Sequence, residues 1–542
     1  MKKVPYWHIK LPVFCHVCTR TKRKKMKIRL TTLIILAGIL FFFNLGVTSL
    51  WDPDEPRQAI MAREMMDRGD YIRPHLNGIP YLEKPPFYPW MIMIAAKISG
   101  TVDEFASRAP SALAALLLVI MTFLLGCRLG DERAGFFAGL VLATNYQFLS
   151  NARESVMDMT FAFFIGLAIY LAFLSLEKGR RLHFALSFIP GAFAILTKGP
   201  AGLVIPVGVM FVYLIVRRSL SRYIIPLMLG CLLAAAISSV WFLLAGESYI
   251  REFILKQNIT RYTNAFDHIE SPWYYFHKLF FNFMPWSLFL PFALFGAWKR
   301  RYILPLLWFV LIFLFFELSQ SKRAIYLLPA YPALALLTGL YIRDAWDGLV
   351  ERGLTNRVLK IFAVLLALIP VAAIVAMYVL PKEDMAVFRE GPALLYVYLA
   401  VLFLAACGFL VMLFKRNRHF ALAFFLFFLV FTGFFYSAYY MPLVDRTSKS
   451  LTLITDALGD EMRTKRIYTY GFNSAGIIFY VGKPVKALSD IKEIKEDESD
   501  ILLIVEEKPT MHLRETLEKS FVPVKRVKYE KEHYIFYVRK NG

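Results

Sequence analysis

The sequence predicts a polytopic α-helical membrane protein capped by a small α/β domain, and three observations predict it. Of the 542 residues, 58% are hydrophobic and only 19% carry charge, whereas soluble globular chains are apolar over nearer half their length. Apolar windows long enough to cross a bilayer, about 17 to 22 residues each, recur from residue 30 to residue 440. Beyond residue 441 the pattern changes to short runs of β-branched and aromatic residues set between turns. A net charge of +22 would suit a nucleic-acid binder. In a membrane chain, however, Lys and Arg accumulate in cytoplasmic loops; that accounts for most of the excess, and no nucleic-acid partner is implied.

Residues 1–29 read as a basic cytoplasmic amino terminus. Their run RTKRKKMKIR precedes an apolar stretch too long for a cleavable signal, so it is expected to stay as an anchor. About thirteen spans follow, near 30–48, 106–126, 134–150, 157–176, 183–198, 201–217, 223–244, 279–297, 302–318, 324–342, 359–380, 394–414 and 420–440. With that count, the basic clusters EKGRR (177–181), RRSLSR (217–222), WKRR (298–301), the 343–360 loop and KRNRH (415–419) share one side with the amino terminus. The opposite side receives loop 51–105, NARESVMD (151–158), TKGP (197–200), loop 245–278, SQSKR (319–323) and the tail. Lys198, Lys322 and Arg323 sit on that outer side against the positive-inside trend, and charges at membrane depth are costly and usually functional. No internal repeat of the kind common in transporters is visible.

In the tail, RIYTYGF (466–472), AGIIFYVG (475–482), DILLIVEE (500–507) and HYIFYVRK (533–540) read as strands, and MHLRETLEKS (511–520) as an amphipathic stretch. Residues 441–542 are therefore expected to form a small extracytoplasmic α/β domain. Cys15 and Cys18 form a C-x-x-C pair with only His16 beside it, short of a zinc set. Cys127, Cys231 and Cys407 fall in or beside apolar segments and read as small core residues.

The first outer loop opens with WDPDEPRQAIMAREMMDRGDY (51–71), where Ala, Met and Ile share one face of an amphipathic helix suited to lie on the membrane surface. Asp54 stands at its first turn, where the helix dipole favours a carboxylate, so a plain N-cap is one reading of it. Asp52 and Asp54 also make a D-x-D pair, a spacing too short to be specific.

DPDEPR (52–57), PHLNGIPYLEKPPFYPW (74–90), VMDMTFAFF (156–164), ILTKGPAGL (195–203), SPWYYF (271–276) and FFELSQSKRAIYLLPAYPALALL (315–337) together resemble the bacterial aminoarabinose transferases. These are undecaprenyl phosphate-alpha-4-amino-4-deoxy-L-arabinose arabinosyltransferases, glycosyltransferases of the GT-C class related to protein O-mannosyltransferases. The resemblance runs in order over most of residues 30–340. It implies a GT-C fold with a catalytic loop at 51–105, a second outer loop at 245–278 and a place in the bacterial inner membrane with the carboxyl terminus periplasmic. It also implies a sugar donor linked to undecaprenyl phosphate and an extracytoplasmic acceptor such as lipid A. One departure stands before SPWYYF: where the family tends to have His-Arg, this chain has His268-Ile269-Glu270, which leaves the sugar and acceptor open.

On that premise the residues acquire roles. Attack of an acceptor oxygen on the anomeric carbon calls for a proton acceptor; Asp54 is the candidate, with Asp158 the second carboxylate. The leaving phosphate gains charge, which fixed cations stabilise without a metal. Arg57, Lys84, Lys198, Lys322 and Arg323 supply them, and Tyr81 and Tyr326 add hydroxyl donors. No cofactor is required. Glu83 and His268 form a candidate pair for a divalent metal, although Glu83 paired with a neighbouring cation is the favoured reading. Lys198 has the alternative of snorkelling from a span end. Asp158 has that of pairing with Arg153 or Lys198, and Tyr274 and Tyr275 that of an interfacial belt. A protein O-glycosyltransferase differs only in its acceptor. A lipid or sugar transporter would place its charges near the bilayer midplane instead.

Overall fold

The computed structural model describes residues 20–542 apart from 264–266, 301, 350–351, 380–391, 447–458, 460–463, 472–473, 495–499, 508–516, 518, 530–531 and 541–542. The Cys15–Cys18 pair and most of MHLRETLEKS lie outside the described residues.

Each of the thirteen apolar windows falls on helix, but the windows are not thirteen uniform spans. Among the described residues, seven helices are long and apolar enough to cross a membrane, or eight if a pair bent by 113° between Tyr274–Asn282 and Trp286–Arg300 is one span. Hydropathy registers an apolar stretch and is blind to its breaks. Helix α1 (Arg20–Phe42) is followed by α2 (Asp54–Arg68), a short hairpin of β1 (His75–Leu76) and β2 (Ile79–Pro80), and α3 (Phe87–Ser99). The hairpin turns on Asn77 and Gly78, both at positive φ, as a two-residue turn matching strand twist demands. Then come α4 (Glu104–Leu129), α5 (Glu132–Thr144), α6 (Tyr146–Ala152) and α7 (Met157–Glu177). Asn145 divides α5 from α6: its Oδ1 caps the Phe148 N–H at 3.1 Å and its amide donates to the Leu142 carbonyl at 2.8 Å. After α8 (Arg181–Leu186), Pro190 opens α9 (Ile189–Lys198), and α10 (Ala201–Val216) and α11 (Leu220–Ala245) follow.

Helix α12 (Glu247–Tyr249) runs through a π-helical stretch, Ile250–Thr260, into α13 (Arg261–Thr263); beyond it lie α14 (Tyr274–Asn282), α15 (Leu290–Arg300), α16 (Ile303–Glu317) and α17 (Tyr331–Trp346). The last three membrane helices are α18 (Arg352–Val379), α19 (Pro392–Phe414) and α20 (Arg418–Phe435). The last of these continues as helix to Val444, so the expected boundary at residue 441 falls inside it.

Helices α4, α5 and α17 meet through small residues. A methyl on Gly126 would come within 2.7 Å of the Gly135 Cα, and one on Gly339 within 2.4 Å of the Ala138 nitrogen. Such contacts let helices associate in lipid, where no hydrophobic drive exists between them. At one end of the bundle the basic clusters converge in ion pairs: Arg29 with Glu132 at 3.0 Å, Arg133 with Asp347 at 2.6 Å and Arg300 with Asp344 at 3.2 Å. Those helix ends share one face, as their charge predicts.

The tail folds as a five-stranded sheet in the order β4-β3-β5-β7-β6, with β3 (Arg466–Tyr470) parallel to β4 (Lys486–Leu488) and β5 (Ile501–Glu506), and β7 (Glu532–Arg539) antiparallel to β5 and β6 (Phe521–Tyr529). AGIIFYV is not a strand. It forms α21 (Ala475–Val481), capped by the Ser474 hydroxyl on the Ile477 N–H and ended by Gly482 at φ 73°. A continuous apolar run without alternation is ambiguous between helix and strand, and the cap and the left-handed glycine decide it.

This domain covers the first outer loop. Ala59, Ile60, Ala62 and Met65 of α2 share one buried cluster with α3 and with Ile477, Ile478 and Phe479 of α21. The apolar face expected on the membrane surface is therefore spent on protein. Further clasps are Asn77 with both backbone groups of Val485 (2.7 and 3.0 Å), Arg63 on the Phe479 carbonyl (2.7 Å) and Tyr480 on Glu104 (2.8 Å).

Candidate active site

Three residues beyond Asp52, the polar mouth of the first loop folds around a buried ion pair absent from the sequence reading. Glu55 accepts from the Arg108 Nε and Nη2, both at 2.8 Å, and from the backbone N–H groups of Trp51 (2.8 Å) and Ser155 (2.6 Å). Arg108 also reaches the carbonyls of Leu45, Thr48 and Ser49. Each side chain is 4% exposed. This knot ties the start of α2 to α4 and to the segment before α7, and it sets where Asp54 and Asp158 project.

Between them opens a cavity of about 630 Å³. Arg57, Tyr81, Glu83, Lys84, Asp158, Lys198, His268, Arg323 and Tyr326 line it together with Asp52 and Asp54. Chain separations are large, so the bundle rather than local order assembles the site. Arg323 donates to Asp54 Oδ2 at 2.9 Å, and Arg57 lies 3.5 Å from Oδ1. Burial pushes the Asp54 carboxyl up, but the hydrogen bond and charge of Arg323, with Arg57 and Lys198, outweigh it and hold the group below its ordinary value. Asp54 is not an N-cap: Pro53 occupies that position and no side chain caps the helix.

Asp52 has a separate job. Its Oδ1 accepts from the Gly476 N–H at 3.0 Å, and burial raises its pKa against hydrogen bonds from Ser474 and Gly476. The D-x-D pair thus splits, one carboxylate facing α21 and the other Arg323.

Lys198 forms an ion pair with Asp158, and its ammonium lies 4.4 Å from the centre of the Tyr326 ring. Arg153 instead bonds the Leu40 and Phe41 carbonyls. Lys84 makes no ion pair or side-chain hydrogen bond among the described residues. Burial, with repulsion from Lys198 and Arg261, pushes its ammonium down to about 8. Lys84 thus faces the cavity as an unpartnered cation whose charged form an anion would stabilise.

Four expectations change. Lys322 does not line the cavity; it is 4% exposed and its ammonium is held by the Glu317 carboxylate (3.0 Å) and carbonyl (2.8 Å). Glu83 takes the Tyr81 hydroxyl at 2.9 Å rather than a cation. Glu83 and His268 both reach the cavity, but among the described residues no group of three His, Cys, Asp or Glu is arranged to hold a metal ion, so the pair does not fit a resident metal. Tyr275 is no interfacial belt residue: it is fully buried, its hydroxyl on the Arg323 carbonyl at 3.2 Å.

Sequence reasoning missed Glu154, Arg261 and Asp267, which also line the cavity. Arg261 pairs with Asp267 at 2.7 Å. Glu154 is pushed up by burial against bonds from Ser150 and Asn151, with Glu55 nearby adding repulsion. Their only signal was membership of outer segments already marked by unusual charge.

A second cavity, about 300 Å³, shares Lys84, Lys198, Arg261 and Tyr326 with the first and runs on along Phe161, Val204, Ile259, Phe315 and Phe316. Polar and apolar compartments therefore meet at a cluster of cations.

The sequence profile of dolichyl-phosphate-mannose-protein mannosyltransferases matches residues 83–243. An undecaprenyl phosphate-alpha-4-amino-4-deoxy-L-arabinose arabinosyl transferase of Pseudomonas paraeruginosa is 31% identical over 387 residues, 68% of each chain. A Proteus mirabilis protein of the same name is 31% identical over 368 residues, 65% of this chain and 66% of its own length. An uncharacterized Aquifex aeolicus protein is 35% identical over 315 residues, 56% of this chain but 62% of its own length. The match to these last two thus spans just under two thirds of each relative. The crystal structure of ArnT from Cupriavidus metallidurans bound to undecaprenyl phosphate has the same fold, at a TM-score of 0.74 and 20% identity over 94% of this chain and 97% of that one. By its sequence similarity, the chain belongs to the family of undecaprenyl phosphate-alpha-4-amino-4-deoxy-L-arabinose arabinosyl transferases.

Proposed function

We propose that the protein is an inner-membrane glycosyltransferase that moves aminoarabinose from undecaprenyl phosphate onto lipid A at the outer face. The observation that carries this reading is the junction of the two cavities at Lys84, Lys198, Arg261 and Tyr326. An amphiphile with a phosphate head and a long apolar tail matches that junction, the head on the cations and the tail along Phe161, Val204, Phe315 and Phe316. Relatives are named for undecaprenyl phosphate and aminoarabinose, and a structural neighbour was crystallised with undecaprenyl phosphate. The amino terminus and the basic face then lie in the cytoplasm and the sheet domain in the periplasm.

The chemistry is a single displacement with inversion. An acceptor oxygen forms a bond to the anomeric carbon as the bond from that carbon to the carrier phosphate oxygen breaks. The electron pair leaves with the phosphate, and Arg57, Lys84, Lys198 and Arg323 stabilise its growing charge. Asp54 receives the acceptor's proton. In the free site Arg323 and Arg57 make it a weak base. A bound phosphate competes for those cations, loosens their hold and returns basicity to Asp54 only when donor is present. Asp158, in its ion pair with Lys198, holds that side chain directed at the junction.

The test is transfer in detergent from undecaprenyl phosphate-linked aminoarabinose to lipid A, followed by mass spectrometry of the lipid. A mass gain on lipid A is expected. A gain on a periplasmic protein alone would make the chain a protein glycosyltransferase, and movement of labelled donor across vesicles without any transfer would make it a transporter.

A further inference from the structure

At the carboxyl-terminal end of α17, a helix of sixteen residues and so about 24 Å long, lies a third cavity that the transfer reaction does not use. It measures about 400 Å³ and is enclosed by α5, α17, the Trp286–Phe289 turn and the hairpin of α18, α19 and α20. Its wall is aromatic: Trp286, Phe289, Tyr341, Phe362, Phe409 and Phe425. Trp286 stands edge-on to Phe425 at 5.3 Å, and Phe289 edge-on to Phe362 at 5.3 Å. Protein interiors are close-packed, and a space this size falls in the range of ligand pockets, about 300 to 1,000 Å³.

The charged side chains lining it are Arg416 and Arg418. Arg418 donates one nitrogen to the Trp346 carbonyl at 2.5 Å. Arg416 is exposed, with no ion pair or side-chain hydrogen bond among the described residues. Lys360 stands nearby in the fold, its ammonium 3.9 Å from the Phe414 ring centre. Among the described residues no acid lines the cavity. Basic pockets between membrane helices on the positive face take anionic lipid headgroups, and the guanidinium fork suits a phosphodiester.

We propose that this cavity binds an anionic glycerophospholipid of the leaflet on the basic face, with an acyl chain among the aromatic rings and the phosphodiester on Arg416 and Arg418. The lipid completes the packing between the α18–α20 hairpin and the α5–α17 core, and it is separate from the sugar donor.

The experiment is thermal unfolding of the delipidated protein in detergent, titrated with phosphatidylglycerol, phosphatidylcholine or undecaprenyl phosphate, with native mass spectrometry to count bound lipid. Phosphatidylglycerol is expected to raise the midpoint and to remain bound, at least tenfold more tightly than phosphatidylcholine. Arg416→Ala combined with Arg418→Ala, at the mouth, should weaken it about tenfold or more while leaving the elution profile of the folded protein unchanged. Ala421→Trp, which fills the cavity, should abolish the response and raise the lipid-free midpoint. Equal response to phosphatidylcholine, or a phosphatidylglycerol response intact in the arginine variant, would overturn the proposal. Stronger binding of undecaprenyl phosphate that the arginine variant removes would assign the cavity to the carrier instead.

Discussion

Arg323 donates to Asp54 at 2.9 Å across 269 positions of chain, joining the segment before α17 to the first turn of α2. The pair places a carboxylate and its controlling cation at the mouth of the polar cavity. Asp54→Asn keeps the shape and removes the proton acceptor, so turnover should fall on the order of a hundredfold to ten-thousandfold while donor binding persists. Normal transfer by a well-folded Asn variant would end the general-base role.

Arg323→Gln bears on pH. Burial raises the Asp54 pKa and Arg323 is the first of the groups that lower it. Without Arg323 the carboxyl titrates at higher pH, and a base works only when ionised. The acid limb of the kcat/KM profile should therefore move to higher pH in this variant. An unmoved limb would mean that Asp54 is not the group being titrated.

Lys84 predicts the alkaline side. Its ammonium is pushed down to about 8, and an anionic headgroup binds the charged form. Donor affinity should then weaken as pH rises through about 8, and Lys84→Met should be flat over the same range. Because charge-assisted bonds contribute roughly 1.5 to 3 kcal/mol, the variant should lose about tenfold to a hundredfold in affinity near neutral pH, whatever sugar the carrier bears. Titrations of donor binding at several pH values decide this.

Glu55 and Arg108 predict stability. Removing one partner of a buried pair leaves the other charge unpaired, which costs about 3 to 5 kcal/mol. Arg108→Met should give a sharply lowered melting temperature and poor yield, whereas the pairing on the exposed surface between Arg251 and Glu247 should be dispensable, worth about 0 to 1 kcal/mol. Comparable melting of Arg108→Met and Arg251→Met would show that the buried pair does not organise the loop.

The sheet domain is clasped away from the cavity by Asn77 on Val485 and Arg63 on Phe479. Asn77→Ala with Arg63→Ala should loosen it by about 1 to 3 kcal/mol, since hydrogen bonds contribute about 0.5 to 1.5 kcal/mol each and those to charged groups more. Hydrogen exchange of the α21 amides, Ala475–Val481, should then speed up several-fold. Unchanged exchange would assign the attachment to the apolar cluster around Phe479 alone.

Much of this protein is legible in one dimension. Apolar windows located the seven long apolar helices among the described residues, because in lipid a backbone must satisfy its own hydrogen bonds, but not which of the thirteen windows cross unbroken, and the basic clusters sorted the helix ends into two faces. The motif resemblance marked Asp54, Lys84, Asp158, Lys198 and Arg323 before any of them had a neighbour. Tertiary structure alone decided what those residues do to one another. That Asp52 turns to Gly476 and Asp54 to Arg323, that Lys322 is consumed by Glu317, and that Glu55 rather than Asp54 anchors the loop are matters of long-range partner choice. Spacing in a sequence specifies which residues share a helix turn. It carries no record of which distant charge will satisfy a buried one, because that depends on how the helices pack and on which groups the packing removes from water.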